Sequence, residues 1–329
     1  MRGGAPTLLF FAVAAAILVF PARAQESPLD AAKRAFEKGE YTTVLSILEP
    51  AAEKEPNNGD MQLLLTKAYL QTNHADTAIK RAEKAVAINP NKSEYHDWLG
   101  QAYGEKASHA AMFSAYSLAR KTQKEFDAAV KLDEHNYEAA QNLVEYDCTA
   151  PGMVGGGEEK AQPLIQKLLN LDASQGHYAQ GNCRKQKKDL AAVDAEFSKS
   201  LDSKPTSMDL IVEMADYFSG RGNGEKVLAA AEAGAAVSPE DPRPNFFRAV
   251  GWILKGEKLP EAEKTLKDYL PLILPRPDYP RAWSAHYWLG RLYEAQKNIT
   301  AARGEYETSF KLNSKYKNAG EALKRLGKK

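Results

Sequence analysis

The chain is poor in the residues that most often build a chemical site. Of its 329 residues only 2 are cysteine and 6 are histidine. The histidines form no pair with the spacing of a metal site. No Gly-x-Ser-x-Gly element occurs, and nothing in the pattern joins a nucleophile to a base. We therefore predict that the protein is not an enzyme and has no catalytic residue, no cofactor and no bound metal.

A surplus of charge is also missing, because 44 basic residues face 43 acidic ones and the formal net charge is only +1. Such a chain has no overall field to attract a polyanion, so nucleic acid is excluded as a partner. Beyond residue 24 no apolar run approaches the roughly 18 residues that a membrane-spanning helix needs. We expect no membrane span in the mature chain.

The first residues differ from the rest. Arg2 is followed by an apolar run from Leu8 to Phe20 and by a small-x-small pattern ending at Ala24. These are the features of a signal peptide, which we predict over residues 1–24, with retention as an anchor as the alternative. The protein is then exported, either periplasmic or secreted.

What the sequence has in abundance is internal repetition. The segment from Leu65 to Pro90, LTKAYLQTNHADTAIKRAEKAVAINP, shares its spacing of small and large apolar residues with WLGRLYEAQKNITAARGEYETSFKLN, which starts at Trp288. The hexapeptide WLGQAY at 98–103 repeats part of the same frame. These residues resemble the tetratricopeptide repeat, in which W-x2-L-G-x2-Y, Ala, Phe and Pro recur over about 34 residues.

The resemblance implies an all-α fold, a right-handed α-α superhelix in which each helical hairpin buries its apolar face by stacking on the next. We predict a single solenoid domain over residues 25–329, closed by a capping helix from about Tyr316 to Leu326. The eight predicted hairpins begin near Glu26, Gly59, Ser93, Tyr137, Ser174, Met208, Pro242 and Trp283.

Two of the predicted units are longer than the repeat, because they contain insertions at about 104–116 and 150–157. The second contains the glycine-rich run APGMVGGG. A phosphate-binding loop would need Lys and Ser or Thr after its last glycine, but Glu158 and Glu159 stand there. We interpret it as a turn in which Pro151 ends one helix and the two glutamates start the next. In the first stretch, helix-forming residues predict that both helices of the hairpin are lengthened by a turn or more.

The two insertions are predicted to meet at one edge of the solenoid and to form an apolar edge patch. Its side chains either satisfy one another as a small local core, which is the simpler expectation, or stay exposed and dock a partner. The members of the patch are Met112, Phe113, Tyr116, Met153 and Val154.

The two cysteines lie near the ends of neighbouring helices. An exported protein would allow Cys148 and Cys183 to pair. A disulfide needs Cα atoms about 4.4 to 6.8 Å apart, whereas helix axes pack roughly 8 to 10 Å apart. We therefore expect two buried thiols and keep the disulfide as the alternative.

The first helix of each unit is expected to line a concave groove. Members of the family that bind chaperones hold a peptide carboxylate with Lys and Asn, but here Tyr178 precedes Asn182 where that Lys would stand. The mixed lining favours a protein or peptide segment as ligand of a non-enzymatic scaffold or adaptor. The alternative is an exported enzyme or small-ligand binding protein that uses the groove as a pocket, and self-association is possible. The predicted groove residues are Lys67, Asp97, Gln101, Glu145, Tyr178, Asn182, Lys185, Asp216, Arg243, Tyr287 and Arg291.

Overall fold

The computed structural model describes residues 26–327. The predicted signal peptide lies outside these residues. Within them the regular structure is helical, with seventeen α-helices and no β-strand, so the predicted all-α solenoid is confirmed. Sixteen of the helices form eight hairpins, and the last helix closes the stack.

The first four hairpins cover residues 28–171, and every predicted starting point lies within two residues of a helix start. The helices are α1 (Pro28–Glu37), α2 (Tyr41–Lys54), α3 (Gly59–Gln71), α4 (Ala75–Ile88), α5 (Ser93–Ser108), α6 (Met112–Leu132), α7 (Tyr137–Thr149) and α8 (Glu158–Leu171).

The remaining hairpins and the closing helix follow from residue 173 onwards. In the closing helix Ala322 and Leu326 are buried, as expected for a cap whose other face meets solvent. The helices are α9 (Ala173–Gln186), α10 (Leu190–Asp202), α11 (Met208–Arg221), α12 (Gly224–Val237), α13 (Arg243–Lys255), α14 (Leu259–Tyr269), α15 (Ala282–Ala295), α16 (Ile299–Leu312) and α17 (Lys317–Gly327).

Glycine in the first helix of a hairpin lets the second helix approach closely. A Cβ added to Gly100 would lie 2.6 Å from the ring of Phe126, and one added to Gly290 would lie 2.5 Å from the ring of Tyr306. Real Cβ atoms do not come so near, so a larger residue would push the helices apart. The recurrence of Gly and an aromatic residue in the sequence follows from this packing.

Tyrosine joins one hairpin to the next. The hydroxyl of Tyr69 donates to Glu49 at 2.5 Å, and Tyr103 donates to Glu83 at 2.6 Å. In both cases a tyrosine of a first helix reaches back to the second helix of the preceding hairpin. The ring fills the space between hairpins while its hydroxyl keeps a hydrogen-bond partner, which explains why the repeat needs Tyr there.

The expectation of two buried thiols was wrong, because Cys148 and Cys183 form a disulfide with Cα atoms 5.4 Å apart. The prediction compared a Cα separation with a distance between helix axes. Each Cα lies about 2.3 Å from its own axis, so residues on facing sides of helices 8 to 10 Å apart have Cα atoms roughly 3.4 to 5.4 Å apart. Packed helices α7 and α9 therefore suit a disulfide.

The two predicted insertions take different forms. Helix α6 has 21 residues, about two turns more than the 14 of α4. Helix α5 has 16 residues, so its gain is less than the full turn that was expected. The glycine insertion, residues 150–157, is a compact turn with a short 3-10 helix at Gly152–Val154.

Hydrogen bonds hold the glycine insertion against α7 and α8. The hydroxyl of Tyr146 donates to the carbonyl of Val154 at 2.8 Å, and Lys160 donates to the carbonyl of Gly155 at 2.6 Å. Gly155 and Gly157 have positive φ, as a turn this tight requires. The lysine is engaged with the loop's own backbone, which supports the interpretation as a turn.

A third irregular segment, between α14 and α15, was not predicted. This strap, residues 270–281, contains four prolines and runs back to the turn of the first hairpin. Arg276 donates to the carbonyl of Glu37 at 3.3 Å, across 239 residues of sequence. A Cβ on Gly39 would lie 3.0 Å from Pro275. We call this contact the seam, since it joins the first hairpin to the seventh and makes the solenoid close on itself.

Candidate functional site

The groove is a concave space of about 1320 Å³ lined by α7, α9, α11, the strap and single turns of α13 and α15. Five predicted groove residues line it. Their first-helix positions place them on the inner surface of the solenoid. They are Glu145, Tyr178, Asn182, Lys185 and Asp216.

Three other predicted residues form a polar network beside this space. Asp97 is 1% exposed and accepts hydrogen bonds from Asn142 at 2.9 Å and from Gln101 at 3.0 Å. Gln101 also donates to Glu138, which lines the groove. Burial, reinforced by the charge of Glu138, raises the pKa of Asp97 to about 7. Lys67 pairs with Glu94 at 2.8 Å.

Arg243 lies beneath the strap and is not available to a ligand. It is only 6% exposed and donates to Asp241 and Asp278. Burial opposes the charged form, but the two carboxylates keep the pKa of Arg243 above its usual value. Its guanidinium also lies 5.1 Å from the ring centre of Tyr279. The residue thus anchors the strap from below.

The last two predicted groove residues lie outside the concave space. Tyr287 is buried among aromatic side chains, with Trp288 and Tyr316 against its ring. Arg291 donates to the hydroxyl of Tyr287 at 3.3 Å. Both are engaged in packing the last hairpin onto the closing helix.

The charge of the groove is biased towards the acidic side. Six acidic and three basic residues line it: Glu138, Glu145, Asp209, Glu213, Asp216 and Asp278 against Lys185, Arg221 and Arg281. Burial raises the pKa of Glu145, and the neighbouring Glu213 raises it further. Burial likewise raises the pKa of Asp216. Among the described residues, no side chain donates a hydrogen bond to the carboxylate of Glu145 or Asp216.

Tyr178 stands at the centre of the groove wall. Its ring stacks on Phe197 with centroids 5.3 Å apart, and its hydroxyl donates to Glu213. Burial, together with that carboxylate, raises the pKa of Tyr178. The side chain is held from both ends and is buried, so it is a rigid part of the groove wall.

The predicted edge patch is split in the structure. Val154 is 8% exposed, whereas Met153 is 73% exposed. Gly155 faces Gln123 of α6, which lies ten residues, or about 15 Å, along the helix from Phe113. The glycine insertion therefore packs beside the middle of α6, and Met112, Phe113 and Tyr116 remain exposed at its far end. The simpler expectation of one shared local core was wrong.

Two histidines form hydrogen bonds between the two helices of their own hairpin. His96 is hydrogen-bonded to Glu125 at 2.7 Å, and His286 is hydrogen-bonded to Glu305 at 2.6 Å. Residues 26–327 contain no group of three His, Cys, Asp or Glu side chains placed to hold a metal ion. Asp147 is a buried carboxylate under the glycine insertion, where burial raises its pKa to about 6, but it does not line the groove.

No helix in the described part of the chain is both long and apolar enough to cross a bilayer.

Sequence reasoning missed the part of the groove wall that the strap provides, residues 277–281. A signal was present, since 41 residues separate the predicted unit starts at Pro242 and Trp283, seven more than one repeat. Four prolines in twelve residues also indicated an extended connection. The acidic wall residues Glu138 and Glu213 were overlooked, although they share helices with predicted groove residues.

Comparison with known proteins gives one family match. A profile of the tetratricopeptide repeat matches residues 35–102, which span the end of α1, all of α2, the second hairpin and most of α5. No curated protein sequence matches the chain.

Solved structures with similar folds include three bacterial tetratricopeptide repeat proteins. One from Thermus thermophilus is 18% identical, with 57% of this chain and 96% of that chain covered and a TM-score of 0.47. One from Parabacteroides merdae is 11% identical, covers 91% and 97%, and has a TM-score of 0.40. The C-terminal part of one from Cytophaga hutchinsonii is 16% identical, covers 90% and 99%, and has a TM-score of 0.39.

These structures are too distant to assign a partner or an activity. The matched segment is followed by further helical hairpins along the described chain, and the contact of a glycine with an aromatic ring recurs in three hairpins, at Gly100, Gly181 and Gly290. Residues 35–102 thus match the tetratricopeptide repeat, a repeat that generally supports scaffolds for protein interactions, and the rest of the described chain continues the all-helical solenoid.

Proposed function

We propose that the protein is a non-enzymatic scaffold that acts outside the cytoplasm and binds an extended peptide segment of a partner protein in its groove. The predicted signal peptide supports the location. The lack of converging nucleophile, base and metal ligands in the groove wall supports a binding role.

One observation carries the proposal: the groove is a concave space lined by polar side chains and aromatic rings. Its volume of about 1320 Å³ exceeds the roughly 300 to 1,000 Å³ of small-molecule sites. Tyr137 and Trp283 provide partly exposed aromatic surface, while Asn182 and Lys185 provide hydrogen-bonding groups along one wall. An extended segment can use both, because its backbone needs polar partners and its side chains need apolar contacts.

The charge bias of the groove favours a segment with basic side chains. Glu145 and Asp216 carry raised pKa values because burial disfavours their charged forms. A lysine or arginine of the ligand would relieve this cost by pairing with them. Binding should then weaken as salt increases, since part of the attraction is electrostatic.

Peptide binding tests the proposal. Partner segments captured by crosslinking in the native compartment would be synthesised with a fluorescent label and titrated with the protein. Charge reversal in Asp216→Lys should weaken binding about tenfold or more, because it replaces an attraction with a repulsion. The matched control is Glu53→Lys, an exposed residue of α2 outside the groove, and it should bind as the wild type does.

Other outcomes would count against the proposal. Equal loss of binding in both charge variants would place the interaction outside the groove. Cleavage or modification of the bound peptide, detected by mass spectrometry, would contradict a non-enzymatic role. Export is tested by N-terminal sequencing of the protein recovered from the host, which should begin at Gln25. A chain that still begins with residue 1 in the cytoplasmic fraction would contradict it.

A further inference from the structure

Helix α6 extends beyond the repeat at its N-terminal end only. Phe126 packs on the glycine of its hairpin as Phe197 and Tyr306 do in theirs. It is the fifteenth residue of its helix, whereas each of the other two is the eighth. The seven extra residues, 112–118, thus precede the shared frame and reach about 10 Å past the neighbouring turns.

We call this N-terminal extension of α6 the finger. Its end carries two large apolar side chains in solvent. Met112 is 82% exposed and Phe113 is 91% exposed. We call residues 109–116 the finger tip. The helix could have presented serine or lysine there at no cost to the hairpin, because neither Met112 nor Phe113 belongs to a core cluster of the described residues.

The stretch of α6 that follows the finger tip, up to Lys124, carries charge of one sign. Between Lys106 and Lys124 the sequence contains no aspartate or glutamate. Met112, Tyr116, Arg120 and Lys124 follow one another at intervals of four residues, so they lie along one face of α6. The hydroxyl of Tyr116 accepts a hydrogen bond from Arg120 at 3.3 Å.

Along this face, from Met112 to Lys124, the side chains change from apolar to aromatic to basic over about 18 Å. A lipid surface presents the complementary series, from hydrocarbon through the interfacial zone that tyrosine favours to anionic headgroups. We propose that the finger tip inserts into the surface of a membrane that contains anionic lipid, with Met112 and Phe113 in the acyl boundary and Arg120 and Lys124 at the phosphates.

A lipid surface suits this site better than a protein partner. A specific protein interface buries about 800 Å² on each side, whereas one aromatic side chain buries roughly 150 to 250 Å². Two side chains at the end of a narrow hairpin cannot reach the larger area. A bilayer has no fixed shape to match, and peripheral segments insert about 5 to 10 Å, which is the length by which the finger projects.

A fluorescent label at the finger tip tests the insertion. Both native cysteines are in the disulfide, so Phe113→Cys can be labelled with an environment-sensitive dye in the full chain. Phe310→Cys, at another exposed aromatic position, is the matched control. Each labelled protein is mixed with vesicles of phosphatidylcholine alone or with an equal part of phosphatidylglycerol, and circular dichroism confirms that both variants are folded.

The expected result is a blue shift and a rise in emission at position 113 with anionic vesicles, a weaker response with neutral ones, and no response at position 310. In the labelled background Arg120→Gln with Lys124→Gln should weaken the apparent lipid affinity about thirtyfold, as two lost contacts with anionic lipid predict. No response at position 113, or an equal response at position 310, would overturn the proposal. So would a response that depends on protein concentration without vesicles, because it would assign the tip to a second copy of the chain. None of these results depends on peptide binding in the groove.

Discussion

The strap and the finger tip both depart from the repeat, yet they end in opposite environments. The strap is rich in proline, and its Asp278 and Tyr279 pack against the buried Arg243. The finger tip is apolar and lies in solvent. The strap is held in place because its charges meet fixed partners, whereas the finger tip has no neighbouring hairpin long enough to cover it.

Removal of the strap's anchor should have the largest effect on stability. Arg243→Ala leaves Asp241 and Asp278 without their shared partner, and breaking a buried ion pair in this way costs about 3 to 5 kcal/mol. Urea denaturation would measure the change. Arg248→Ala, on the same helix but without a buried carboxylate partner, is the control and should cost less than about 1 kcal/mol. Equal costs would mean that the strap is not anchored through Arg243.

The buried carboxylate beside the groove should make stability depend on pH. The pKa of Asp97 is raised to about 7, so the folded state favours the protonated form. The stabilisation is complete below the unfolded pKa of about 4 and is lost as the pH rises through 7, by at most about 4 kcal/mol.

Denaturation of the wild type and of Asp97→Asn between pH 4 and 8 isolates this contribution. The free energy of unfolding of the wild type, relative to that of Asp97→Asn, should fall as the pH rises from 4 and level off beyond pH 7. The amide keeps an acceptor for Asn142, while Gln101 must turn to accept. A difference that is constant across the range would show that Asp97 remains ionised in the folded protein.

The seam should contribute less than the anchor. Gly39 has φ +75 and lies 3.0 Å from Pro275 at the position of an added Cβ. Gly222 has φ +72 with nothing within 4 Å, so Gly222→Ala carries the backbone strain without the contact. Each substitution should cost about 1 kcal/mol for the positive φ. The amount by which Gly39→Ala costs more than Gly222→Ala measures the contribution of the seam to stability. Equal costs would mean that the first hairpin is not held there.

The smallest effect is expected at the finger tip. Met112→Ser combined with Phe113→Ser should change the free energy of unfolding by no more than about 0.5 kcal/mol, because the two side chains make no core contacts. Thermal unfolding is sufficient to check this. A large loss would place the tip in a packed environment and remove the contrast with the strap.

Much of the fold could be predicted because the repeat is a local pattern. Gly100 must face Phe126, and Tyr103 must reach Glu83 in the preceding hairpin. Such requirements recur at fixed spacing, so the hairpin boundaries followed from the sequence to within two residues.

The strap, the seam and the groove charge could not be found in this way. Arg276 contacts Glu37 across 239 residues. A periodic sequence pattern cannot predict this contact, because the contact occurs only once. The disulfide was missed for a different reason, an incorrect comparison of axis and Cα distances. In the groove, side-chain type predicted Glu145 and Asn182, but it could not reveal that Arg243 would be turned beneath the strap by Asp241 and Asp278.

The closure of the solenoid around its groove is the central claim, and a distance across the seam tests it most directly. Lys38→Cys and Leu272→Cys introduce two exposed positions on opposite sides, and the native cysteines are protected in their disulfide. Electron spin resonance between nitroxide labels there should give one narrow distance distribution, matching the closed structure. A broad distribution at longer distances would mean that the first hairpin swings free of the strap and that the solenoid is not closed.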